Sequence, residues 1–367
     1  MGEWREYKVG DILTLEYGKS LKGYRDYIGK YDVFGTNGKI GKTDKFLYST
    51  PSIIIGRKGA YREVYFAKNP FFVIDTAFYT KNKLQNIDNL FMYYWFKNID
   101  INSMDSGSAI PSTSRDEVYD LDISLPPLKE QKAIAEVLSS LDDKIDLLHC
   151  QNKTLEALAQ TIFREWFIEG ADEGWEEYEI RDFATHKKVS IKPAQNPTSK
   201  FLHFSLPAFD KNKEPSIELG SDIKSNKYRV EPYSILMSKL NPKTPRVWDI
   251  YFKPEDNSIC STEFQVVQPD DKDFIPFIST LLKSDKVRND LAMSASGTSG
   301  SHQRVKPEDI FSIGFLTPSV DKIKEFSKIL EQNYLKQRKN QQQIKTLENL
   351  RDTLLPKLMS GEVRVKI

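Results

Sequence analysis

The fold is decided by residues 125–167, which read LPPLKEQKAIAEVLSSLDDKIDLLHCQNKTLEALAQTIFREWF. Two prolines, Pro126 and Pro127, stand at the start, where proline is tolerated in the first turn of a helix, and no further proline or glycine occurs before Gly170. Apolar residues recur at alternating steps of four and three, which is the seam of a coiled coil. At 1.5 Å per residue, roughly 40 residues form a helix of about 60 Å, and such a helix needs a partner to bury its seam.

The partner helix is predicted near the other end of the sequence. The letters LEAL at residues 155–158 recur as LENL at residues 347–350, an offset of 192 (347 − 155). Carrying this offset along the first seam predicts a second seam with apolar ends and a polar middle. We interpret the polar middle, residues 333–343, as seam residues that set the register at some cost in stability, although a solvated stretch where the helices part would give similar letters. The predicted seam residues are Ile134, Leu138, Leu141, Ile145, Leu148, Leu155, Ile162, Phe326, Leu330, Ile344, Leu347 and Leu354.

The repeat extends beyond the helices. WREYKVGD at residues 4–11 resembles WEEYEIRD at residues 175–182, an offset of 171. SGS at residues 106–108 resembles SGT at residues 296–298, an offset of 190. The chain is therefore predicted to hold two copies of one unit, a globular part followed by a long helix, with 19 extra residues (190 − 171) in the second globular part.

Short apolar runs separated by Gly, Asn and Pro predict that each globular part is mostly β. Residues 234–239 stand in the second part where residues 53–58 stand in the first, and residues 261–266 stand where residues 75–79 stand. We predict an α+β fold in which two globular, mostly-β domains are separated by two long helices that form a coiled coil, with an internal two-fold pseudo-repeat.

Charge is informative through its distribution. The 367 residues carry 53 basic and 52 acidic side chains, so the net charge of +1 does not by itself indicate nucleic acid. Ten basic and three acidic residues lie between Lys19 and Arg62, and six basic residues and one acidic residue lie between Lys224 and Arg246. Two such zones, one in each half, could form a two-part phosphate footprint. A surface that is simply rich in lysine is the plain alternative.

Other features limit the class of protein. Cys150 and Cys260 have neither metal nor disulfide spacing, which predicts a reducing compartment. No apolar signal core or membrane-spanning run is present, so we expect a cytoplasmic protein without a membrane partner. The four histidines are scattered, so no metal site is expected.

Catalytic motifs are missing from the sequence. No G-x-S-x-G elbow, phosphate-binding loop or dinucleotide fingerprint occurs. NPFF at residues 69–72 is similar to the Asn-Pro-Pro-aromatic motif of DNA amino-methyltransferases, but it lacks the second proline. The sequence therefore predicts binding rather than catalysis.

Four motifs resemble the characteristic regions of type I restriction-modification specificity subunits. They are LPPLKEQKAI at residues 125–134, IGRKGA at 55–60, SGSAIPS at 106–112 and LLPKLMSGE at 354–362. The resemblance covers essentially the whole chain, including its two-copy layout. The second copy departs from it, because residues 318–323 read PSVDKI and have lost the Pro-Pro and Glu-Gln letters.

The resemblance implies four segments and a division of labour. These segments are a first target recognition domain (1–125), a central long helix (126–170), a second target recognition domain (171–317) and a C-terminal long helix (318–367). Each domain would read one half of a bipartite site in double-stranded DNA, and the two helices would pack antiparallel and hold the domains apart.

The resemblance also implies partners. Two methyltransferase subunits would dock on the helices, bring S-adenosylmethionine and methylate adenine, and restriction or translocase subunits could join them. The chain itself is then expected to hold no catalytic residue and no cofactor.

Residues that contact DNA are expected on loops. Base edges in the major groove are read by forked donors and amides that loops or helices carry into the groove. Each candidate could equally be a phosphate contact or a solvated side chain. The candidates are Lys19, Ser20, Lys22, Arg57, Lys58, Ser112, Ser114 and Arg115 in the first domain, and Lys239, Lys243, Arg246, Thr298, Ser301, His302, Gln303 and Arg304 in the second.

Three other classes of protein stay open on the sequence. A coiled-coil structural or assembly protein would not bind DNA, and a solitary specificity-like DNA-binding protein would serve another system. A methyltransferase in its own right would bind the methyl donor, and the missing glycine-rich motif argues against it. A steep fall of DNA affinity with rising salt would separate the DNA-binding classes from the assembly protein.

Overall fold

The computed structural model describes residues 3–104, 111–294 and 303–366. Contacts group the chain into two compact units. Unit 1 comprises Met1–Leu148 with Gln343–Ile367, and unit 2 comprises His149–Gln342. Both units contain sheets, and two long helices run through the chain, which confirms the predicted α+β class.

Unit 1 consists of short strands and small helices followed by a long helix. Its strands are β1 (Arg5–Lys8), β2 (Leu13–Tyr17), β3 (Tyr31–Gly35), β4 (Gly38–Thr43), β5 (Ser52–Gly56), β6 (Val64–Ala67), β7 (Phe71–Val73), β8 (Ala77–Asn82) and β9 (Asp122–Leu125). Its helices are α1 (Val9–Ile12), α2 (Asn89–Lys97), α3 (Arg115–Tyr119) and the first part of α4 (Leu128–Arg164).

Unit 2 contains the end of α4, a π-helical turn at Glu165–Glu169, and a second set of strands and helices. The strands are β10 (Glu176–Glu179), β11 (Ala184–Lys187), β12 (Ser190–Ile191), β13 (Lys200–Phe204), β14 (Ser216–Leu219), β15 (Lys227–Arg229), β16 (Ser234–Ser238), β17 (Val247–Ile250), β18 (Ser258–Ser261), β19 (Phe264–Pro269) and β20 (Gly314–Thr317). The helices are α5 (Leu206–Asn212), α6 (Ile275–Leu282), α7 (Asp285–Ser294), α8 (Pro307–Phe311) and α9 (Val320–Met359), and the last part of α9 belongs to unit 1.

The sheets of the two units follow one plan. In the described part of unit 1, β1 pairs with β9 and a second sheet has the order β2-β8-β5-β6. In unit 2, β10 pairs with β20 and the second sheet has the order β11-β19-β16-β17. Strands β5 and β16 thus occupy the same place, as the alignment of residues 234–239 with residues 53–58 predicts, but β5 ends at Gly56 and β16 at Ser238, so the true register differs from that alignment by one residue. The third sheet differs, with the order β4-β3-β7 in unit 1 and β12-β15-β18-β13-β14 in unit 2, so the longer second copy has the larger sheet.

In unit 1 the first part of α4 packs against the last part of α9. Ile145 and Leu148 of α4 contact Ile344 of α9 in a small buried cluster. Farther toward the start of α4, Asp142 accepts a hydrogen bond from Arg351 (2.8 Å). The partner residue rises in number as the α4 residue falls, so the two helices run antiparallel here.

In unit 2 the last part of α4 packs against the first part of α9 in the same sense. The rings of Phe163 and Phe326 lie 5.9 Å apart. Asn340 is fully buried, and its side-chain amide donates to the side-chain oxygen of Asn152 (2.8 Å). The helices are therefore in contact at this point, and the interpretation of the polar middle as paired seam residues is confirmed at Asn340.

The predicted seam residues differ in burial. Those that are buried are Ile134, Leu138, Ile145, Leu148, Phe326, Leu330 and Ile344, and those that are only partly buried are Leu141, Leu155, Ile162, Leu347 and Leu354. At the end of α4 the neighbouring Phe163 is buried instead of Ile162. An α-helix drifts by about 20° per heptad relative to a strict seven-residue repeat, so over the 28 residues from Ile134 the inward position moves by nearly one residue.

Within the described ranges, no helix is both long and apolar enough to cross a membrane. In the same part of the chain, no group of three or more His, Cys, Asp or Glu side chains is arranged to hold a metal ion.

Candidate nucleic-acid interface

In unit 1, three loops meet just after β5. The N–H of Arg57 donates to the carbonyl of Thr76 in the turn before β8 (2.9 Å), and the carbonyl of Arg57 accepts from the N–H of Thr113 (2.9 Å). The N–H of Gly59 donates to the carbonyl of Pro111 (3.0 Å). Two of the predicted DNA-binding loops, residues 57–58 and 112–115, are therefore tied together by backbone hydrogen bonds.

The same arrangement of backbone hydrogen bonds, here called the shared frame, occurs in unit 2 just after β16. The N–H of Lys239 donates to the carbonyl of Glu263 (2.8 Å), and its carbonyl accepts from the N–H of Val305 (3.0 Å). The N–H of Asn241 donates to the carbonyl of Gln303 (3.0 Å). An isolated bridge joins Leu240 to Arg304, as another joins Lys58 to Ser112 in unit 1. Arg57 thus corresponds to Lys239, Thr76 to Glu263, and Ser112 to Arg304.

An aromatic ring organises the basic residues of unit 1. The Tyr17 ring has the Arg57 guanidinium 4.8 Å from its centre and the Arg115 guanidinium 4.4 Å from its centre. It also contacts the Phe78 ring at 5.0 Å. Arg57 is held further because Nη1 donates to the carbonyl of Asp75 (3.0 Å). Two cations and a 44% exposed aromatic ring therefore share one surface.

The loop after β2 approaches the same surface. The N–H of Lys19 donates to the carbonyl of Val73 (2.8 Å). A Cβ at Gly18 would lie 2.0 Å from the carbonyl oxygen of Ile74, so only glycine permits this approach. The predicted residues of this loop, Lys19, Ser20 and Lys22, are all exposed.

Some predicted residues have structural roles. The Ser114 hydroxyl caps α3 by accepting from the N–H of Asp116 (3.2 Å). Arg246 forms a two-fold hydrogen bond with the Asp210 carboxylate (2.7 and 2.8 Å), and its side chain is only 17% exposed. These contacts use the groups that would otherwise be offered to DNA.

Arg62, which contributed to the first basic zone, is buried rather than exposed. Its Nη2 donates to the carbonyls of Asn102 (3.1 Å) and Met104 (2.8 Å), and its N–H donates to the Asn102 side chain (2.8 Å). Arg62 therefore anchors the loop after β5 instead of adding to a phosphate footprint. The second zone is corrected in the same way at Lys227, which is buried and donates to Ser225 (2.5 Å).

In unit 2 the shared frame brings together charged side chains of both signs, namely Lys188, Lys239, Arg304 and Glu263. Burial lowers the pKa of Lys239, and the neighbouring cations Lys188 and Arg304 lower it further, against the opposing effect of Glu263. Nε and Nη2 of Arg304 donate to the two oxygens of Glu263, both at 3.2 Å. Lys188 follows β11 at the position that Tyr17 has in β2, because Lys187 pairs with Val266 as Glu16 pairs with Tyr79.

The remaining predicted residues of unit 2 are placed less fully. Lys243 is exposed and Gln303 is partly buried. Thr298, Ser301 and His302 lie outside the described residues, as does most of the SGSAIPS motif.

Sequence reasoning missed three residues that complete these surfaces, namely Tyr17, Lys188 and Glu263. Tyr17 and Lys188 reach the frame through sheet pairing, and Glu263 reaches it through the turn between β18 and β19. The sequence carries no signal that sets Glu263 beside Thr76, because the alignment of residues 75–79 with residues 261–266 joins five residues to six and leaves the register open.

Comparisons with known proteins all point to one family. The family described as Type I restriction modification DNA specificity domain matches residues 1–157. The Type I restriction enzyme MjaIX specificity subunit of Methanocaldococcus jannaschii is 24% identical over 99% of this chain and 89% of its own length. The chain is thus similar to type I restriction-modification specificity subunits over nearly its whole length, and its first 157 residues match the family's domain.

Further relatives agree with this assignment. The Type I restriction enzyme HindI specificity subunit of Haemophilus influenzae is 26% identical over 46% of this chain and 42% of its own length. The crystal structure of the S subunit of a type I restriction-modification system from M. genitalium shares the fold, with a TM-score of 0.63, 18% identity, and coverage of 97% of this chain and 96% of that one.

Proposed function

We propose that this chain is the specificity subunit of a type I restriction-modification system and reads a bipartite site in double-stranded DNA. Residues 1–125 form the target recognition domain for one half-site and residues 171–317 form the one for the other. In each domain the loops at the end of β5 or β16 would contact the DNA, because backbone hydrogen bonds there bring together side chains from distant parts of the sequence.

The observation that carries the proposal is one backbone frame used twice with different side chains. Arg57 in unit 1 is replaced by Lys239 in unit 2, and Ser112 is replaced by Arg304. Base identity in the major groove is expressed as a pattern of donors and acceptors, so different side chains on one frame select different bases. Two domains that read different half-sites need the same backbone arrangement with different hydrogen-bond donors, and the two units have this combination.

The groups on these frames have the chemistry of nucleic-acid contacts. Arg57 and Arg115 of unit 1, and Lys188, Lys239 and Arg304 of unit 2, carry positive charge near exposed loops. Arginine and lysine supply both the phosphate contacts that position a protein on DNA and the forked donors that read guanine. These groups, rather than the overall net charge, support DNA as the ligand.

The helices are proposed to dock two methyltransferase subunits, and restriction subunits through them. Apolar side chains that the helix pair does not bury support this. On the helices of unit 1, Leu147 and Leu350 are 50% and 44% exposed, and on those of unit 2, Leu158, Ile329 and Leu335 are 44–46% exposed. In this proposal S-adenosylmethionine and the methylation of adenine belong to the partner, which leaves recognition to this chain.

A reciprocal pair of variants tests the proposal. Arg57→Ala should weaken discrimination at one half-site and Lys239→Ala at the other, each by about 5- to 150-fold, since a base contact is worth about 1–3 kcal/mol. The measurement is binding of the complex with its methyltransferase to duplexes in which one half-site at a time is altered. Each variant serves as the control for the other. Loss at both half-sites from either single variant, or loss at neither, would contradict the assignment of one reader to each unit.

A further inference from the structure

The ion pair between Glu263 and Arg304 is a feature that unit 2 has and the equivalent positions of unit 1 lack. Nε and Nη2 of Arg304 donate to the two carboxylate oxygens at 3.2 Å each, and the side chains remain 52% and 32% exposed. In unit 1 these positions hold Ser112 and Thr76, which cannot form an ion pair.

Both partners sit on fixed backbone. The Glu263 carbonyl accepts from the N–H of Lys239 (2.8 Å), and its own N–H donates to the Ser261 hydroxyl (3.2 Å). Arg304 is bridged to Leu240, and the residues on either side of it bond to the loop after β16. Because the backbone on both sides of Arg304 is fixed and its side chain is paired with Glu263, the guanidinium loses little further conformational entropy when it binds a ligand.

The geometry of the pair leaves one edge of the guanidinium available. Nε and one hydrogen of Nη2 are directed to Glu263, and Nη1 has no hydrogen bond within the described part of the chain. The remaining edge, formed by Nη1 and Nη2, offers two parallel donors. Guanine presents two adjacent acceptors, O6 and N7, in the major groove, and a two-fold contact with arginine is the commonest specific contact to a base.

We infer that Arg304 reads a guanine in the half-site of unit 2, and that Glu263 is the positioning residue that directs the free edge of its guanidinium. This inference rests on the proposed function and adds to it a base identity for one half-site. It also explains an acidic side chain within a basic surface, since a carboxylate that neutralised Arg304 without orienting it would only weaken DNA binding.

A second arginine of unit 2 shows what distinguishes a reader from a structural pair. Arg246 is bound by Asp210 through the same two nitrogens, but its side chain is 17% exposed and its Nη1 is buried. Its remaining edge therefore cannot reach a base. The half-exposed Arg304 keeps that edge open.

The test compares Glu263→Gln and Arg304→Ala with the wild-type chain in the complete complex. Each chain is expressed with its companion methyltransferase in a host without adenine methylation, and methylated sites are sequenced to obtain the preference at every position of the motif. Glu308→Gln is the matched control, because Glu308 forms an ion pair with Arg181 in the same unit (2.6 Å) and neither residue belongs to the shared frame.

We expect Arg304→Ala to remove the preference for guanine at one position of one half-site. Glu263→Gln should reduce that preference about tenfold while other positions stay unchanged, and Glu308→Gln should change nothing. The half-site of unit 1, read in the same experiment, reports that each variant folds and assembles.

The inference is overturned if the position affected is not a guanine, if Glu263→Gln leaves the preference intact, or if the loss spreads evenly over the motif. Absence of any split motif with the wild-type chain would instead refute the proposed function. A split motif that does not depend on Arg304 refutes the inference alone.

Discussion

The Tyr17 ring gives the sharpest prediction for unit 1. Both Arg57 and Arg115 contact it, with the central carbons of their guanidinium groups 4.8 and 4.4 Å from the ring centre. Replacement by leucine keeps an apolar residue at the end of β2 beside Phe78 but removes the π face. Both arginines then lose the surface that orders them before DNA binds.

The size of the effect follows from the two contacts. An exposed cation–π contact is worth about 0.5–1 kcal/mol, so two contacts correspond to about 1–2 kcal/mol. Each 1.4 kcal/mol changes an equilibrium constant tenfold. Tyr17→Leu should therefore weaken binding of a cognate duplex by roughly 5- to 30-fold, and the whole loss should vanish on a duplex whose unit 1 half-site has been replaced.

The assay is a titration of cognate duplex with the complex of this chain and its methyltransferase at one fixed salt concentration. Tyr17→Phe is the matched control, because it retains the ring, and it should bind within about twofold of the wild type. The reasoning would be refuted if Tyr17→Leu bound as the wild type does, or if Tyr17→Phe lost as much as Tyr17→Leu.

Three further predictions concern the helices and their ends. Phe326 is fully buried among other aromatic rings, so Phe326→Ala should cost about 3–5 kcal/mol in chemical denaturation; a cost below about 1 kcal/mol would contradict this packing. A double-mutant cycle of Asn152→Ala and Asn340→Ala should give a coupling energy of about 0.5–1.5 kcal/mol, whereas additive effects would show that the hydrogen bond contributes nothing. The hydrogen bonds from Arg364 lower the pKa of the buried Glu130 carboxyl. This pair therefore stabilises the fold at pH values above the ordinary pKa of a glutamate, and the contribution is lost as the pH falls through the lowered value. Thermal unfolding of Arg364→Met should show a smaller loss of stability between neutral and acid pH than the wild type, and an unchanged profile would refute the pairing.

The long helices and the two-copy plan were predictable because their signal is repeated many times. A spacing of four and three holds along the 37 residues of α4, and the motif LEAL at residues 155–158 recurs at a constant offset in α9. A signal of this kind survives single exceptions. At the end of α4 Phe163 is buried in place of the predicted Ile162, because the α-helix has 3.6 residues per turn and its inward face drifts away from a strict seven-residue repeat.

The loop chemistry was predictable only in part. Arg57, Lys58 and Ser112 could be named because basic and hydroxyl residues cluster in polar segments, but their meeting depends on backbone hydrogen bonds between segments about 55 residues apart. Tyr17 and Glu263 could not be named, because their roles exist only once β2 pairs with β8 and β18 turns into β19.

Burial was the other limit. Arg62 and Arg246 are the same residue type as the arginines of the candidate surface. Arg62 nevertheless donates to the carbonyls of Ile101, Asn102 and Met104, and Arg246 binds Asp210. Charge counted along a sequence includes such residues, because nothing local separates a buried, paired guanidinium from an exposed one.

The central claim is that this chain determines which bipartite site its system methylates. The most direct measurement is the adenine methylome of a methylation-free host that expresses the companion methyltransferase with this chain, compared with the same host expressing the methyltransferase alone. The account predicts a split motif that appears only when the chain is present. No new methylated motif, with the two proteins shown to purify together, would contradict it.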